Sequence, residues 1–139
     1  MSAKRAGSNV QLPGTWTFDA KRFLPRVIVA GSRGFDDRPR AFRALDQVHG
    51  KLGRFEIVSG GAKGADTLGE DYAVEHGLPF RRFPADWDGL GKAAGRHRNE
   101  VMAWYATHLL AFHVGDSPGT AHMISAAQAA GLTLAVIQI

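Results

Sequence analysis

Cysteine is absent from the 139 residues of this chain. Its absence excludes a disulfide-stabilised fold, a zinc site built from thiolates and a catalytic cysteine. No apolar run approaches the roughly 18 residues that a membrane-spanning helix needs, and the first residues lack the apolar core of a signal peptide. We therefore expect a soluble, cytoplasmic protein with no membrane partner.

The chain has six histidines, but their spacing is not that of a metal site. No pair shows the H-x-x-x-H or H-E-x-x-H spacing that places two imidazoles on one helix face, and His108 and His113 fall on opposite faces of a predicted strand. No serine lies in the G-x-S-x-G context of a hydrolase nucleophile. We expect no metal, no other cofactor and no serine-hydrolase chemistry.

Charge is distributed unevenly along the chain. The 17 lysines and arginines outnumber the 13 aspartates and glutamates, which gives a net charge of +4. Residues 1–24 hold four basic side chains against Asp19, whereas the other 115 residues hold 13 basic and 12 acidic side chains. Since a DNA-binding domain usually carries its basic excess on the folded body, a nucleic-acid partner is the less favoured interpretation.

The difference in charge coincides with a predicted boundary between two parts of the chain. Residues 1–24 form a basic N-terminal arm or docking segment, and residues 25–139 form a single domain. Within the arm, Trp16 and Phe18 are spaced by two, as on a short strand. These two aromatic side chains pack either on the domain or on a neighbouring subunit.

From Pro25 onwards, apolar strand patterns alternate with helix patterns. The predicted strands are Arg26–Ala30, Phe55–Val58, Phe80–Phe83, His108–Val114 and Leu132–Ile137. Four helices are predicted. The first is capped by Asp36 or Asp37 and carries Phe42, Leu45 and Leu52, and the second spans Ala65–His76. A loop over Pro84–Gly95 leads into the third, which carries Val101, Met102 and Tyr105, and the fourth spans Gly119–Ala130. This alternation predicts an α/β protein, a Rossmann-like three-layer sandwich with a five-stranded parallel sheet.

Glycines collect where predicted strands give way to helices. They are Gly31 and Gly34, then Gly60, Gly61 and Gly64, then Gly115 and Gly119. Three such turns at one edge of a parallel sheet indicate a site for a phosphate-bearing ligand, although short connections also need glycine for tight turns alone. The second turn matches neither G-x-G-x-x-G nor a Walker A loop, so the standard dinucleotide-binding fingerprint is absent and the protein is not a P-loop kinase or NTPase.

Polar residues near the third strand and the next helix are further candidates. Arg98 can bind a phosphate through two N–H groups, Asn99 can orient that arginine or contact a sugar or base, and Trp87 can stack on a base. Asp66, in the first turn of its helix, can cap N–H groups or accept a ribose hydroxyl. The alternative is a solvated helix start, with Trp87 as a lid on the core.

Several short motifs in order carry a resemblance to a known family. They are Val29–Arg33, Ser59–Asp66, Pro84–Trp87, Ala94–Gly95 with Arg98–Asn99, and Gly119–Thr120. Each motif alone is weak, but together they resemble the YspA-type, cpYpsA-related branch of the SLOG superfamily. The resemblance covers about Arg26 to Ile137 and does not extend to the N-terminal arm.

This resemblance implies a Rossmann-like fold, a pocket for a nucleotide or nucleotide-derived ligand, and assembly into dimers or larger homo-oligomers. The wider superfamily includes the Lonely Guy phosphoribohydrolases, DNA-processing proteins and predicted sensors of nucleotide signals in bacterial and phage conflict. Carried over residue by residue, the implied ligand-binding residues are Gly31, Ser32, Arg33, Gly60, Gly61, Ala62, Gly64, Asp66, Asp86, Trp87, Arg98, Asn99, Gly119 and Thr120.

One position departs from the hydrolase pattern. The hydrolases carry G-G-x-G-T-x-x-E, but after Gly119 and Thr120 this chain has Met123 where the glutamate would be, and a thioether cannot act as an acid or base. The leading hypothesis is therefore a sensor or sequestering protein for an AMP-like or ADP-ribose-like ligand. The alternatives are a hydrolase of an N-glycosidic or phosphoribosyl bond, with Asp66, Asp86 or Asp88 as the carboxylate, and a nucleic-acid-binding module.

Overall fold

The computed structural model describes residues 24–139 in full and, upstream of them, the backbone of two short strands. These are β1 (Asn9–Gln11) and β2 (Thr17–Asp19), which pair antiparallel with Asn9 opposite Asp19. Phe18 lies on β2, as its spacing suggested. Trp16 and the packing predicted for the two aromatic side chains lie outside the described residues.

A five-stranded parallel sheet forms the centre of the domain. Its strands are β3 (Arg26–Gly31), β4 (Glu56–Ser59), β5 (Phe80–Arg82), β6 (His108–His113) and β7 (Thr133–Gln138). They lie in the order β5-β4-β3-β6-β7, and all neighbours run parallel. The predicted α/β fold with five parallel strands is confirmed.

Helices connect the strands in sequence. They are α1 (Arg38–Leu52), α2 (Ala65–His76), α3 (Trp87–Leu90), α4 (Ala94–Tyr105) and α5 (Pro118–Ala129), with a 3-10 helix over Gly91–Ala93. None of these described helices combines the length and hydrophobicity that crossing a membrane requires.

The predicted loop over 84–95 is largely helical, which corrects the sequence-based expectation. Helix α3 starts at Trp87 because Asp86 caps it, its carboxylate accepting a hydrogen bond from Gly89 N at 2.9 Å. Gly89 lies within α3, Gly91 follows its last residue with φ +57°, and Gly95 lies in the first turn of α4. Asp86 is therefore a capping residue.

Two hydrophobic layers cover the two faces of the sheet. On one face, Val27, Val29 and Phe112 pack with residues of α1 and α2 such as Leu45 and Tyr72. The other face, which includes Ile28 and Ala111, packs with residues of α4 and α5 such as Met102 and Met123. Because side chains alternate along a strand, the unbroken apolar run of β3 supplies both layers.

The strand order reverses at β3. The chain moves from β3 outwards through β4 to β5 and then returns to the other side of β3 for β6 and β7. Where the strand order of an open parallel sheet reverses, the connections that follow the two neighbouring strands leave in opposite directions. A crevice opens between them at the carboxyl ends of those strands. This crevice lies after β3 and β6.

Candidate functional site

A cavity of about 410 Å³ occupies the crevice after β3 and β6, a size within the roughly 300–1,000 Å³ typical of ligand sites. Its walls come from the turn after β3, the turn after β4, helix α4 and the first turn of α5. Ten of the fourteen predicted site residues line it: Gly31, Ser32, Arg33, Ala62, Asp66, Trp87, Arg98, Asn99, Gly119 and Thr120.

The other four predicted residues, Gly60, Gly61, Gly64 and Asp86, lie outside the cavity wall. Gly64 has φ +81°, and a Cβ there would lie 2.3 Å from the carbonyl oxygen of Ser32, so this glycine lets the turns after β3 and β4 approach each other. Gly61, with φ +76°, has its N–H bonded to Ser59 Oγ at 3.0 Å. That N–H is therefore not aimed at a ligand.

Gly60 contacts Arg98, which does line the cavity. The carbonyl oxygen of Gly60 accepts a hydrogen bond from Arg98 Nη1 at 2.7 Å. A Cβ at residue 60 would lie 2.7 Å from that nitrogen and 2.8 Å from Asp66 Oδ2. The absence of a side chain at Gly60 thus lets Arg98 and Asp66 come close behind the cavity wall.

Arg98 is held in place from two sides. Besides the bond to Gly60, its Nε donates to Asn99 Oδ1 at 3.1 Å. Asn99 is 8% exposed and is itself placed by Gly119, whose carbonyl oxygen lies 3.4 Å from its Nδ2. Among the described residues, Nη2 of Arg98 has no acceptor, so this end of the guanidinium is available to an anion.

Asp66 is the carboxylate of the cavity. Its Oδ2 accepts a hydrogen bond from Ala62 N at 3.2 Å. Burial raises the pKa of Asp66 from 3.8 to about 6, although the N–H groups of Ala62 and Gly60 and the charge of Arg98 favour the carboxylate form. Asp66 therefore changes charge just below neutral pH.

Positive charge exceeds negative charge around the cavity. Arg33, Lys92, Arg96 and Arg98 line it, against the single carboxylate of Asp66. Within the described part of the chain, no carboxylate lies within 4.0 Å of the first three of these cations. Burial lowers the pKa of Arg98; the negative charge of Asp66 opposes this change, and the positive charge of Arg33 adds a smaller lowering effect. A bound anion would be favoured by the excess of positive charge.

The first turn of α5 adds backbone donors. Ser117 precedes the helix without a capping bond to a backbone N–H, and its Oγ lies 3.0 Å from Thr120 Oγ1. The N–H groups of Gly119 and Thr120 belong to the first helical turn, where no intrahelical carbonyl is in reach. Both residues line the cavity, at the positive end of the helix dipole.

Apolar surface completes the site. Met102 and Met123 are buried and line the cavity from α4 and α5. Trp87 stands at the rim and is 54% exposed, and a Cβ at Gly95 would lie 3.5 Å from its ring. Such exposure does not fit a lid on the core and leaves an aromatic face available beside the cavity.

Sequence reasoning missed part of the lining. The additional residues are Ala30, Lys92, Gly95, Arg96, Met102, Ser117, Pro118, His122 and Met123. Ser117 and Pro118 follow β6 just as Ser32 follows β3, so the rule that ligands bind at strand ends would have included them. No sequence pattern marks Lys92 or His122 as a lining residue. The position of Lys92 depends on α3 and the 3-10 helix after it, and that of His122 depends on the rotation of α5. The described residues contain no group of three or more acidic or histidine side chains suited to a metal ion.

Comparison with known proteins places the chain in a family. The family described as "YspA, cpYpsA-related SLOG family" matches residues 25–89. The Gene 61 protein of Mycobacterium phage D29 is 38% identical over 118 residues, which cover 78% of this chain and 93% of the phage protein. The chain belongs to the YspA, cpYpsA-related SLOG family.

The fold of this SLOG protein also resembles a solved structure, that of DNA processing protein A (DprA) from Streptococcus pneumoniae, with a TM-score of 0.51. The alignment covers 84% of this chain but 59% of the DprA chain, at 16% identity. At this identity the likeness supports the fold alone. The resemblance stated from sequence motifs is thereby confirmed at the level of family and fold.

Proposed function

We propose that this SLOG-family protein binds a nucleotide or nucleotide-derived ligand, AMP-like or ADP-ribose-like in chemistry, and acts as a sensor or sequestering protein. The observation that carries the proposal is the cavity at the strand-order reversal, where four cationic residues meet one carboxylate. Such an excess of positive charge suits an anionic ligand. Family membership supports the same conclusion.

The proposed ligand pose follows from the chemistry of each wall. The phosphate lies against the free end of Arg98 and the N–H groups of Gly119 and Thr120, because both supply donors to an anion. The base stacks on the exposed ring of Trp87. A ribose hydroxyl donates to Asp66 when that side chain is ionised.

A nucleotide panel tests this proposal. AMP, ADP-ribose, dinucleotides and cyclic nucleotides are added to the full chain at millimolar concentration, and the melting temperature is measured. At 100 times its Kd, a ligand stabilises the folded state by about 2.7 kcal/mol, so at least one compound is expected to raise the melting temperature by several degrees. No shift with any member of the panel would contradict the proposal.

Hydrolysis of an N-glycosidic bond is the second candidate, and Asp66 is the observation that favours it. Of the three carboxylates that the sequence left open, Asp66 lines the cavity, whereas Asp86 caps α3 and Asp88 is exposed. With a pKa of about 6, Asp66 can donate a proton at neutral pH. In this reaction the bond from the anomeric carbon to the base breaks while Asp66 protonates the leaving nitrogen. The oxygen of water bonds to the carbon, and the proton that this water releases restores the protonated form of Asp66.

Chromatography distinguishes the two candidates. If the protein is a hydrolase, free base and ribose phosphate accumulate in equal amounts, and Asp66→Asn abolishes turnover while the ligand still binds. If it only binds, the nucleotide is recovered intact after prolonged incubation with the wild-type protein.

A further inference from the structure

The sheet is incompletely covered at β7, the edge strand next to β6. Helix α5 packs against one face of both strands. Because side chains alternate along a strand, Thr133 and Ala135 lie on the other face with Ile137, which packs beside α1 and is only partly buried. Thr133 and Ala135 are exposed. Parallel sheets normally bury both faces, so the described helices leave part of this face uncovered.

The uncovered part forms an apolar groove between α1 and β7. Its volume is about 380 Å³, and β3, α1, β6 and β7 supply its walls. The apolar side chains in these walls include Val27, Val48, Leu52, Leu110 and Ile137. Burial lowers the pKa of His108, which keeps this lining residue neutral at pH 7, so Lys51 carries the charge of the described walls. An open apolar surface of this kind indicates a docking site.

The antiparallel pair of β1 and β2, here called the N-terminal hairpin (residues 9–19), has one apolar and one polar face. Position 10 lies opposite position 18, and opposite positions share a face of the pair, so valine and phenylalanine occupy one face. The alternate positions hold Asn9, Gln11, Thr17 and Asp19. A two-stranded hairpin alone is at best marginally stable in water, so its apolar face needs a surface on which to pack.

We propose that the N-terminal hairpin docks in the groove between α1 and β7 of its own chain, with the face of Val10 and Phe18 against the groove. Trp16 continues the same alternation two positions before Phe18 and adds apolar area to that face. The docked hairpin supplies the cover that the helices leave out. This inference goes beyond the proposed function, because it requires no ligand in the cavity.

The point at which the N-terminal segment joins the domain lies beside the groove. Strand β3 begins at Arg26, and the next residue, Val27, already lines the groove. Val27 is opposite His108, and His108 is opposite Thr133, so the chain enters at the end of the groove that these residues form. Six residues separate Asp19 from Arg26 and can span up to about 20 Å. Strand β7 is two strands from β3, or roughly 10 Å, which is well within that reach.

Charge favours the same occupant. Between residues 9 and 19, Asp19 is the only charged side chain, so the hairpin is negative, whereas Lys51 makes the groove positive. The basic side chains of the N-terminal arm come before or after the hairpin, at Lys4, Arg5, Lys21 and Arg22. The hairpin and the groove are therefore complementary both in apolar surface and in charge.

Crosslinking within the full chain tests the proposal, and the absence of native cysteine makes it specific. Asn9→Cys, on the polar face of the hairpin, is combined with Gln47→Cys on the α1 wall or with Thr133→Cys on the β7 wall. Each protein is treated with a short bis-maleimide at low micromolar concentration. The control combines Asn9→Cys with Ser125→Cys, an exposed position on α5 on the opposite face of the sheet. Both groove pairs are expected to form an intramolecular crosslink at least tenfold more than the control pair.

A second set of variants tests which face of the hairpin docks. In the protein with cysteines at 9 and 47, Phe18→Asp is expected to reduce the crosslink at least fivefold, because a carboxylate is costly to bury in an apolar groove. Thr17→Asp, the neighbouring position on the polar face, is the matched control and is expected to leave the yield unchanged. Circular dichroism checks that each variant folds. If Phe18→Asp does not fold, Ala135→Asp at the exposed groove wall takes its place.

Three results would overturn the proposal. The first is a folded protein in which the groove pairs crosslink no more than the control pair with Ser125→Cys. The second is a crosslink that joins two chains and never one chain to itself, which would place the hairpin on a second copy. The third is an intramolecular crosslink that a folded Phe18→Asp or Ala135→Asp variant retains in full.

Discussion

Burial of Asp66 links the stability of the protein to pH. Since its pKa rises from 3.8 in the ordinary state to about 6 in the fold, the folded protein holds this proton more tightly than the unfolded chain does. The free energy of unfolding therefore falls as pH rises through the interval from about 4 to 6, and the full cost of the buried carboxylate is present above it. Glu70 acts in the opposite direction, because the hydrogen bond from Arg82 lowers its pKa.

Asp66→Asn isolates the contribution of this one group. An amide does not titrate, so the stability of the wild type minus that of the variant is expected to fall by roughly 2 kcal/mol between pH 4 and pH 7. Urea unfolding at four pH values measures it, and the subtraction removes effects shared with Glu70. Asp88→Asn, at an exposed carboxylate outside the cavity, is the control, and an equal pH dependence in both variants would contradict the assignment.

Gly60 and Gly61 are neighbours with different roles, which a pair of alanine variants separates. A Cβ at Gly60 displaces the guanidinium of Arg98, so Gly60→Ala is expected to weaken ligand binding at least tenfold. A Cβ at Gly61 meets Arg82 outside the cavity and is strained by φ +76°, so Gly61→Ala is expected to cost about 1–2 kcal/mol of stability and leave affinity unchanged. Calorimetric titration and urea unfolding of both variants check this, and the reverse pattern would contradict it.

Gly60 and Gly61 also show that a sequence pattern can indicate a site without indicating which of its glycines contacts the ligand. The composition of the turn after β4 indicated a ligand site, and Ala62 and Asp66 do line the cavity. Which glycine faces a ligand, however, depends on backbone dihedral angles and on contacts with distant residues. Arg98 lies 38 positions from Gly60 in the chain, and no local pattern contains that contact.

At the scale of elements, side-chain caps fix the first residues of α1 and α3. The sequence allowed Asp36 or Asp37 as the cap of α1, and the structure selects Asp37, whose Oδ1 accepts a hydrogen bond from Arg40 N at 3.1 Å. Strand boundaries were predicted to within one residue, and for β3, β4 and β6 the reason is that apolar runs mark buried strands. Helix α3 was not predicted, since it consists of four residues and contains too little periodicity to detect.

The capping assignment gives a direct prediction. Asp37→Ala is expected to lower the free energy of unfolding by about 1 kcal/mol, because the side-chain acceptor for the first helical turn is lost. Asp36→Ala is the matched control and is expected to change stability by less than half as much. Urea unfolding of the two variants measures both effects, and equal losses would show that Asp37 does not act as the cap.

At the scale of the whole molecule, sheet topology brings the site together. The alternation of strands and helices predicted a parallel sheet, and the rule for strand ends predicted a site at its carboxyl edge. The sequence did not specify the order of the strands, and that order is what brings Arg33 after β3 next to Gly119 after β6.

Charge distribution over the whole chain leads to a prediction about DNA. Residues 1–24 carry four basic side chains against one acidic side chain, whereas the rest of the chain is nearly neutral. Any binding to duplex DNA is therefore expected to be weak, independent of base sequence and lost at moderate salt. Fluorescence anisotropy measures DNA binding by two variants. In the first, glutamine replaces the four basic residues of the arm; in the control, glutamine replaces four basic residues of α1. Tight, sequence-selective binding that survives neutralisation of the arm would favour the nucleic-acid interpretation.

The central claim is that the cavity binds a phosphate-bearing nucleotide ligand through Arg98. Isothermal titration of AMP and ADP-ribose into three proteins tests it: the wild type, Arg98→Ala, and Arg43→Ala on α1 as an exposed control outside the cavity. We expect saturable binding to the wild type, an affinity at least tenfold lower for Arg98→Ala, and no change for Arg43→Ala. An absence of binding heat with both ligands, or equal affinity in the wild type and a folded Arg98→Ala variant, would contradict the claim.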